Sequence, residues 1–276
     1  MIIHLFRRVH HKSGVMPLSN EIMAELRKDY IYNLMIKGER EDGRAFDQYR
    51  ELTIDTNVIE KAEGSARVKL GDTHVVVGVK IQPGTPFPDT PDQGVIITNL
   101  ELIPLASPVF ESGPPREDAI ELARVVDRGI RESQSIDLSR LCVTAGEKVW
   151  MVFIDVHVLD DGGNIMDAAS LGAIAALMTA KLPAKRFDLG EDTPVPMRDV
   201  PVAVTAVEIG GSIMLDPSLN EQSIAGTKLT VISNQDGALS GMQKSGVHPL
   251  TTEQINYIVD IAIEKAKEIR EKFLEI

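Results

Sequence analysis

The order of strand and helix patterns constrains this chain more than any other feature, because the order runs through one cycle twice. Alternating apolar and polar residues predict strands, and helical spacing marks the end of each cycle. The first cycle has strands at 50–59, 65–70, 73–81, 95–103 and 148–159, with helices at 116–133 and 165–181. The second has strands at 202–209, 212–215 and 227–233, then a polar loop and a helix at 252–273. This repetition predicts an α/β (α+β) fold built from two similar β-then-α halves.

The cycles divide the chain into three segments. Residues 1–48 are predicted to form an N-terminal extension and a helix from Asn20 to Lys37, which Gly38 ends. Residues 49–186 and 187–276 then form the first and second halves. Within the extension, an apolar stretch precedes Arg7 and Arg8, the reverse of the order in a secretory signal, and residues 1–15 are expected to be disordered.

Composition excludes several classes of protein. Cys142 is the single cysteine, which rules out a disulfide framework and a zinc site of several thiolates, and favours a reducing, cytoplasmic location. The longest strongly apolar run, Ala168 to Ala180, falls well short of the roughly 20 residues that span a bilayer. A net charge of −12 disfavours a general polyanion-binding surface but allows a local basic patch.

The turn before the predicted helix at 165 has two interpretations. Gly162 and Gly163 precede the start of a helix, where free backbone N–H groups can bind an anion. Asp160 and Asp161 make the turn acidic, however, and Asn164 is suited to cap the helix. The paired acids lack a third ligand at useful spacing, so no metal site and no cofactor are predicted.

Arginines on the predicted helix at 116–133 are the strongest candidate for binding. At about 100° per residue, Arg124, Arg128 and Arg131 fall within about 60° of one another, with Arg116 at the helix start. The apolar residues on the other arc are Ile120, Leu122, Ala123, Val126 and Ile130. The stripe is either a solvated face, with Glu121 pairing to Arg124 and Asp127 to Arg131, or a binding surface for phosphodiesters.

Several ordered motifs carry a resemblance to a known family. They are Gly38-Glu-Arg-Glu-Asp-Gly-Arg44 followed by Arg50-Glu51, the segment Arg116 to Arg131, the strand Val149 to Leu159, and the Ala-rich helix behind Gly162-Gly163. Together they resemble the RNase PH family, and most closely the non-catalytic RNase PH-like subunit of the archaeal exosome core ring, over about residues 20–276. The resemblance implies duplicated ββαβα halves of the ribosomal-protein-S5-domain-2-like kind.

Two departures from the family pattern imply inactivity. Active members have an arginine that holds phosphate where this chain has Ile165, and a catalytic aspartate where it has Lys228. Phosphorolysis needs cations around the phosphate and a group that handles the proton of the leaving oxygen. The resemblance therefore implies no catalytic residue, with an active phosphorolytic 3′-5′ exoribonuclease as the alternative. A metabolite-binding protein that uses the Gly162-Gly163 turn is a third, less supported hypothesis.

The resemblance also implies partners. They are a catalytic RNase PH-like subunit, arranged with this chain as a trimer of heterodimers, RNA-binding cap subunits, and single-stranded RNA that is degraded from its 3′ end. Carried over onto this sequence, the RNA-binding residues are Arg116, Arg124 and Arg128.

Overall fold

Two β-sheets, one from each cycle of the sequence, form the frame of the computed structural model, which describes residues 28–274. The first half supplies strands β1 Leu52–Thr56, β2 Gly64–Leu70, β3 Thr73–Gly84, β4 Val95–Leu102, β5 Cys142–Thr144 and β6 Lys148–Asp160. The second supplies β9 Val202–Ile209, β10 Ser212–Leu215, β11 Thr227–Ser233 and β12 Leu239–Gly246, and a short ribbon of β7 Lys181–Leu182 and β8 Thr193–Pro194 lies between them. The predicted mixed architecture with two similar halves is confirmed.

Helices cover these sheets. They are α1 at 28–36, α2 Glu117–Glu132, α3 Ile165–Thr179, α4 Leu219–Ile224 and α5 Thr252–Phe273, with 3₁₀ turns at Leu138–Leu141 and Ala184–Phe187. The end of α1 just before Gly38 agrees with the prediction, whereas its predicted start at Asn20 and the predicted disorder of residues 1–15 lie outside the described residues.

The two sheets have simple orders. The first runs β1-β2-β3-β6-β4, with β5 also paired to β6, and all its pairs are antiparallel except β4 with β6. The second is wholly antiparallel, in the order β10-β9-β11-β12. Strand β12 replaces part of the predicted polar loop after residue 233, and it forms one edge of the second sheet.

Helix α3 joins the halves. It packs on β2 and β3 of the first sheet and on β9 of the second, and eleven of its fifteen residues are buried. A helix that is apolar on all sides must be enclosed on all sides, and the Ala- and Gly-rich sequence allows that approach. A Cβ added to Gly172 would lie 2.7 Å from Val77 Cγ2. Both sheets consequently share one apolar core.

Candidate nucleic-acid interface and the adjoining cleft

Helix α2 lies over β4 and turns its arginines outward. Its buried residues are Ala119, Val125, Val126, Gly129 and Ile130, and Arg124, Arg128 and Arg131 are exposed. Ile120 was predicted to lie on the apolar arc, away from the arginines, and this was wrong, because the residue is 47% exposed. Four residues before Arg124, Ile120 is rotated only about 40° from it and so shares the arginine face.

The arginines differ in what already holds them. Arg131 donates to both carboxylate oxygens of Asp127, at 3.1 and 3.2 Å, and to the Ile96 carbonyl oxygen at 3.1 Å. The predicted pair of Asp127 with Arg131 is thus formed. Arg116 makes an exposed ion pair with Glu111. Both guanidinium groups have an acidic partner before any ligand arrives.

Neither Arg124 nor Arg128 has an acidic partner among residues 28–274. Arg128 Nη1 donates to the side-chain oxygen of Gln243 at 3.2 Å, and Gln243 Nε2 donates in turn to Glu121 at 3.2 Å. The predicted pair of Glu121 with Arg124 is not formed, and within residues 28–274 Arg124 has no hydrogen bond or ion pair. Two adjacent turns of α2 therefore present positive charge that is not paired with a carboxylate in the described part of the chain.

A cleft of about 320 Å³ lies beside this helix and brings together the two departures from the family pattern. Ile165, at the start of α3, and Lys228, on β11, both line it. The other charged residues of its wall are Asp118, Glu121 and Asp161. Burial raises the pKa of the Asp161 carboxyl, and the neighbouring charge of Asp160 raises it further, against the lowering effect of the Gly163 N–H. The described residues of the wall therefore contribute three carboxylates and one ammonium group.

The glycine turn below this cleft uses its N–H groups internally. Gly163 N–H donates to Asp161 Oδ1 and Asn164 N–H to Gln222 Oε1, each at 3.0 Å. Asn164 precedes the first residue of α3, as predicted, but its side chain does not cap the helix. It donates instead to Asp167 and Asp216, both at 2.8 Å. The turn therefore does not offer these amides to an anion, which removes the main support for the anion-binding interpretation.

The arginines of the 38–50 motif pack against the second half, with Arg40 buried and Arg44 and Arg50 half-buried, a location that the sequence did not indicate. Arg40 is 3% exposed and donates to both carboxylate oxygens of Glu221, at 2.8 and 2.6 Å. Arg44 and Arg50 both pair with Asp216, and Arg50 also donates to the carbonyl oxygens of Gly162 and Gly163 at 2.8 and 3.0 Å. The motif fastens the glycine turn of the first half to the second half.

A buried carboxylate continues this network. Asp167 accepts hydrogen bonds from Tyr49, Asn164 and Thr205. Burial raises the pKa of Asp167 to about 6, although those hydrogen bonds act to lower it. At Asp216 burial acts in the same direction, but hydrogen bonds and charge from Arg50 outweigh it and lower the pKa. The two carboxylates of the network therefore differ in pKa. Asp216, which pairs with arginine, has a lowered pKa, whereas Asp167, which accepts from Tyr49, Asn164 and Thr205, has a raised one.

Within residues 28–274, no group of three or more His, Cys, Asp or Glu side chains is arranged to hold a metal ion. Nor does any helix there combine the length and apolarity needed to cross a membrane.

Comparisons with known proteins agree with this architecture. The model for domain 1 of the 3′ exoribonuclease family (RNase PH) matches residues 48–183, and the model for domain 2 matches residues 199–265. Exosome complex component Rrp42 of Methanocella arvoryzae is 69% identical over 92% of this chain and 98% of its own length. The Archaeoglobus fulgidus protein of the same name is 56% identical over 94% of this chain and its full length.

Solved structures agree as well. A chain of the Archaeoglobus fulgidus exosome with RNA bound to the active site superposes with a TM-score of 0.89 at 56% identity, over 91% of this chain and 99% of that one. A chain of an archaeal exosome core gives 0.86 at 52% identity, over 93% and 99%.

Proposed function

The chain belongs to the 3′ exoribonuclease (RNase PH) family, and from that premise we propose that it is the non-catalytic subunit of an archaeal exosome ring. In this proposal it alternates with a catalytic RNase PH-like subunit in a heterohexamer, a trimer of heterodimers, which binds RNA-binding cap subunits. The ring acts in the cytoplasm. Residues 49–186 and 187–276 are the two family halves of this subunit, after an extension at 1–48.

The cleft beside α2 carries the proposal of inactivity. Phosphorolysis needs a phosphate ion held as nucleophile and a group that manages the proton of the leaving oxygen. Ile165 and Lys228 stand where the phosphate-binding arginine and the catalytic aspartate are expected, and three carboxylates share the wall with them. These carboxylates disfavour phosphate, and Lys228 does not supply the carboxyl group that would manage the proton of the leaving oxygen.

The arginines of α2 carry the proposed role in RNA binding. RNA phosphates attract cations that are not already neutralised, and guanidinium groups fit phosphodiesters well. Arg124 and Arg128 meet both conditions, and Arg116 follows once RNA displaces its exposed partner Glu111. From this subunit, the three arginines guide a single strand of RNA toward the active site of the catalytic neighbour.

Purification of this chain alone and with its catalytic partner tests the proposed function. With labelled RNA and inorganic phosphate, the chain alone should release no nucleoside diphosphates, because its cleft lacks both required groups. Adding the partner should give a particle of hexamer size on gel filtration and restore phosphate-dependent shortening. Shortening by this chain alone that survives repurification would establish the alternative, a self-sufficient phosphorolytic exoribonuclease.

A further inference from the structure

We propose that Gln243 is a positioning residue for RNA binding, which orients Arg128 and keeps Glu121 from pairing with Arg124. The inference rests on the proposed function, because it concerns the same arginines. It assigns a role in RNA binding to the second half of the chain, through a residue of the edge strand β12 that contacts α2.

The geometry places one amide between two side chains of α2. Gln243 lies on β12, its oxygen accepts from Arg128 at 3.2 Å, and its nitrogen donates to Glu121 at 3.2 Å. Glu121 and Arg128 are seven residues apart, so they lie on one side of the helix about two turns from each other. A single side chain of the second sheet thus contacts both Glu121 and Arg128.

An amide suits this position because it is neutral and has both an acceptor and donors. Its oxygen orients the Arg128 guanidinium without cancelling the positive charge, in contrast to the two carboxylate contacts that Asp127 makes with Arg131. Its nitrogen donates to the Glu121 carboxylate. Glu121 lies three residues before Arg124 and would otherwise pair with it at helical spacing. Through these two hydrogen bonds, Gln243 leaves the positive charges of Arg124 and Arg128 available to RNA.

Orientation adds to the effect of charge. A long side chain that is already held loses fewer rotamers when a phosphate binds, and this lowers the entropic cost of binding. Because Arg128 retains further N–H donors beyond the one given to Gln243, it can contact phosphate without breaking the bridge.

Two substitutions in the assembled ring separate charge from orientation. Gln243→Met keeps the length of the side chain but removes both hydrogen bonds, and should weaken binding of single-stranded RNA about three- to tenfold. Gln243→Glu supplies a carboxylate for Arg128, and should weaken binding further and lower the salt slope by roughly 0.7, the value of one single-strand contact. Gln235→Met is the matched control, since Gln235 is exposed on the turn before β12 and its side chain makes no hydrogen bond among the described residues.

The same Gln243→Met change in a ring that carries Arg124→Ala with Arg128→Ala decides how Gln243 acts. If it acts through these arginines, the change has no further effect there, while gel filtration shows every ring intact. Wild-type affinity for Gln243→Met, or an equal loss in the arginine-free ring, overturns the inference and leaves the proposed function standing. If removing both arginines changes nothing, the arginine role in the proposed function and this inference fall together.

Discussion

The arginines of α2 differ in the partner that each one contacts. Arg131 contacts both oxygens of Asp127, and Asp127 is itself held by Thr98 Oγ1 at 3.2 Å. Arg128, three residues earlier, meets the neutral amide of Gln243. The free energy of phosphate binding depends on this difference, because a guanidinium that is already paired must give up its carboxylate first.

Substitution of these arginines should therefore separate them. Arg124→Ala with Arg128→Ala should lower the salt slope of RNA binding by the assembled ring by roughly 1.4, about 0.7 for each lost contact with a single strand. The control Arg131→Ala should leave the slope unchanged and cost the fold about 0.3–1 kcal/mol, as an exposed pair does. Binding titrations at several salt concentrations measure the slope. Equal slopes for wild type and both variants would mean that Arg124 and Arg128 form a solvated face and do not contact RNA.

Asp167 should make the stability of the fold depend on pH. Its pKa is about 6 in the folded chain and about 3.9 in an unfolded one, so the folded state binds more protons between these values. The contribution of Asp167 to the free energy of unfolding is thus present below about pH 4 and falls by about 3 kcal/mol as the pH rises to 6 and above.

The variant Asp167→Asn isolates that contribution. Denaturant unfolding at about pH 4.5 and pH 7 should show wild type losing stability relative to the variant as the pH rises. The other carboxylate of the network, Asp216, has a lowered pKa and acts in the opposite direction, but it is present in both proteins and cancels in the comparison. A difference between the two proteins that stays constant with pH would contradict the assignment.

At the scale of elements, α3 and α2 use glycine under different constraints. Gly172 of α3 faces β3, where an added Cβ would lie 2.7 Å from Val77 Cγ2. Gly129 of α2 faces the end of the Ile232 side chain, where an added Cβ would lie 3.1 Å from Cδ1. The first neighbour is a branched side chain fixed in the middle of a sheet, and the second is a flexible tip.

Alanine at the two positions should therefore have different effects. The helix gains about 1 kcal/mol from replacing glycine by alanine in either case. At Gly172 the overpacking of about 1–3 kcal/mol exceeds this gain, whereas at Gly129 a small shift of Ile232 accommodates the methyl group. Thermal or denaturant unfolding should find Gly172→Ala less stable than Gly129→Ala by about 1–2 kcal/mol. Equal stabilities would mean that α3 can move away from the sheet.

Elements with strong periodicity were predictable and the short or polar ones were not. Helix α5 has the predicted bounds, because its apolar spacing continues over six turns and Thr251 and Gln254 form a capping box. Strand β12 was missed, since as an edge strand its Gly-, Ser- and Lys-containing sequence has little apolar alternation. Helix α4 was missed because its six residues are too few for a period.

Contacts between distant parts of the sequence were also beyond prediction. The arginine stripe followed from helical spacing alone, but the bridge through Gln243 did not, because 115 residues separate Gln243 from Arg128. The burial of Arg40 depends on Glu221, which lies 181 residues away. A local pattern identifies a surface, and only the folded chain decides which of its charges are already paired.

At the scale of the molecule, an arginine network joins the glycine turn of the first half to the second half. Arg50 holds the carbonyl oxygens of the glycine turn, and Asp216 of the second half accepts from Arg44, Arg50 and Asn164. Removing one partner of such an ion pair destabilises the fold by several kcal/mol. The pairs therefore fix the turn in its present form. The chain has the two-half architecture of its family, and Ile165 and Lys228 line the cleft between the halves.

Lys228→Asp tests whether that cleft can be reactivated by its missing acid alone. The substitution adds a carboxylate beside Asp118, Glu121 and Asp161 and removes the ammonium group of Lys228 from the wall. Ile165 remains in place and cannot bind phosphate as an arginine would. We therefore expect no phosphate-dependent RNA shortening from Lys228→Asp in a ring whose catalytic partner has been inactivated, with wild type measured alongside.

The double variant Ile165→Arg with Lys228→Asp supplies both missing groups and should still give weak activity at most. The N–H groups of Gly163 and Asn164 stay bonded to Asp161 and Gln222, so phosphate meets no backbone donors from these two residues. A displacement of about 1 Å in the phosphate can lower the rate roughly a hundredfold. Robust activity from Lys228→Asp alone would show instead that a phosphate pocket exists without an arginine at position 165, and the proposed origin of the inactivity would then be wrong.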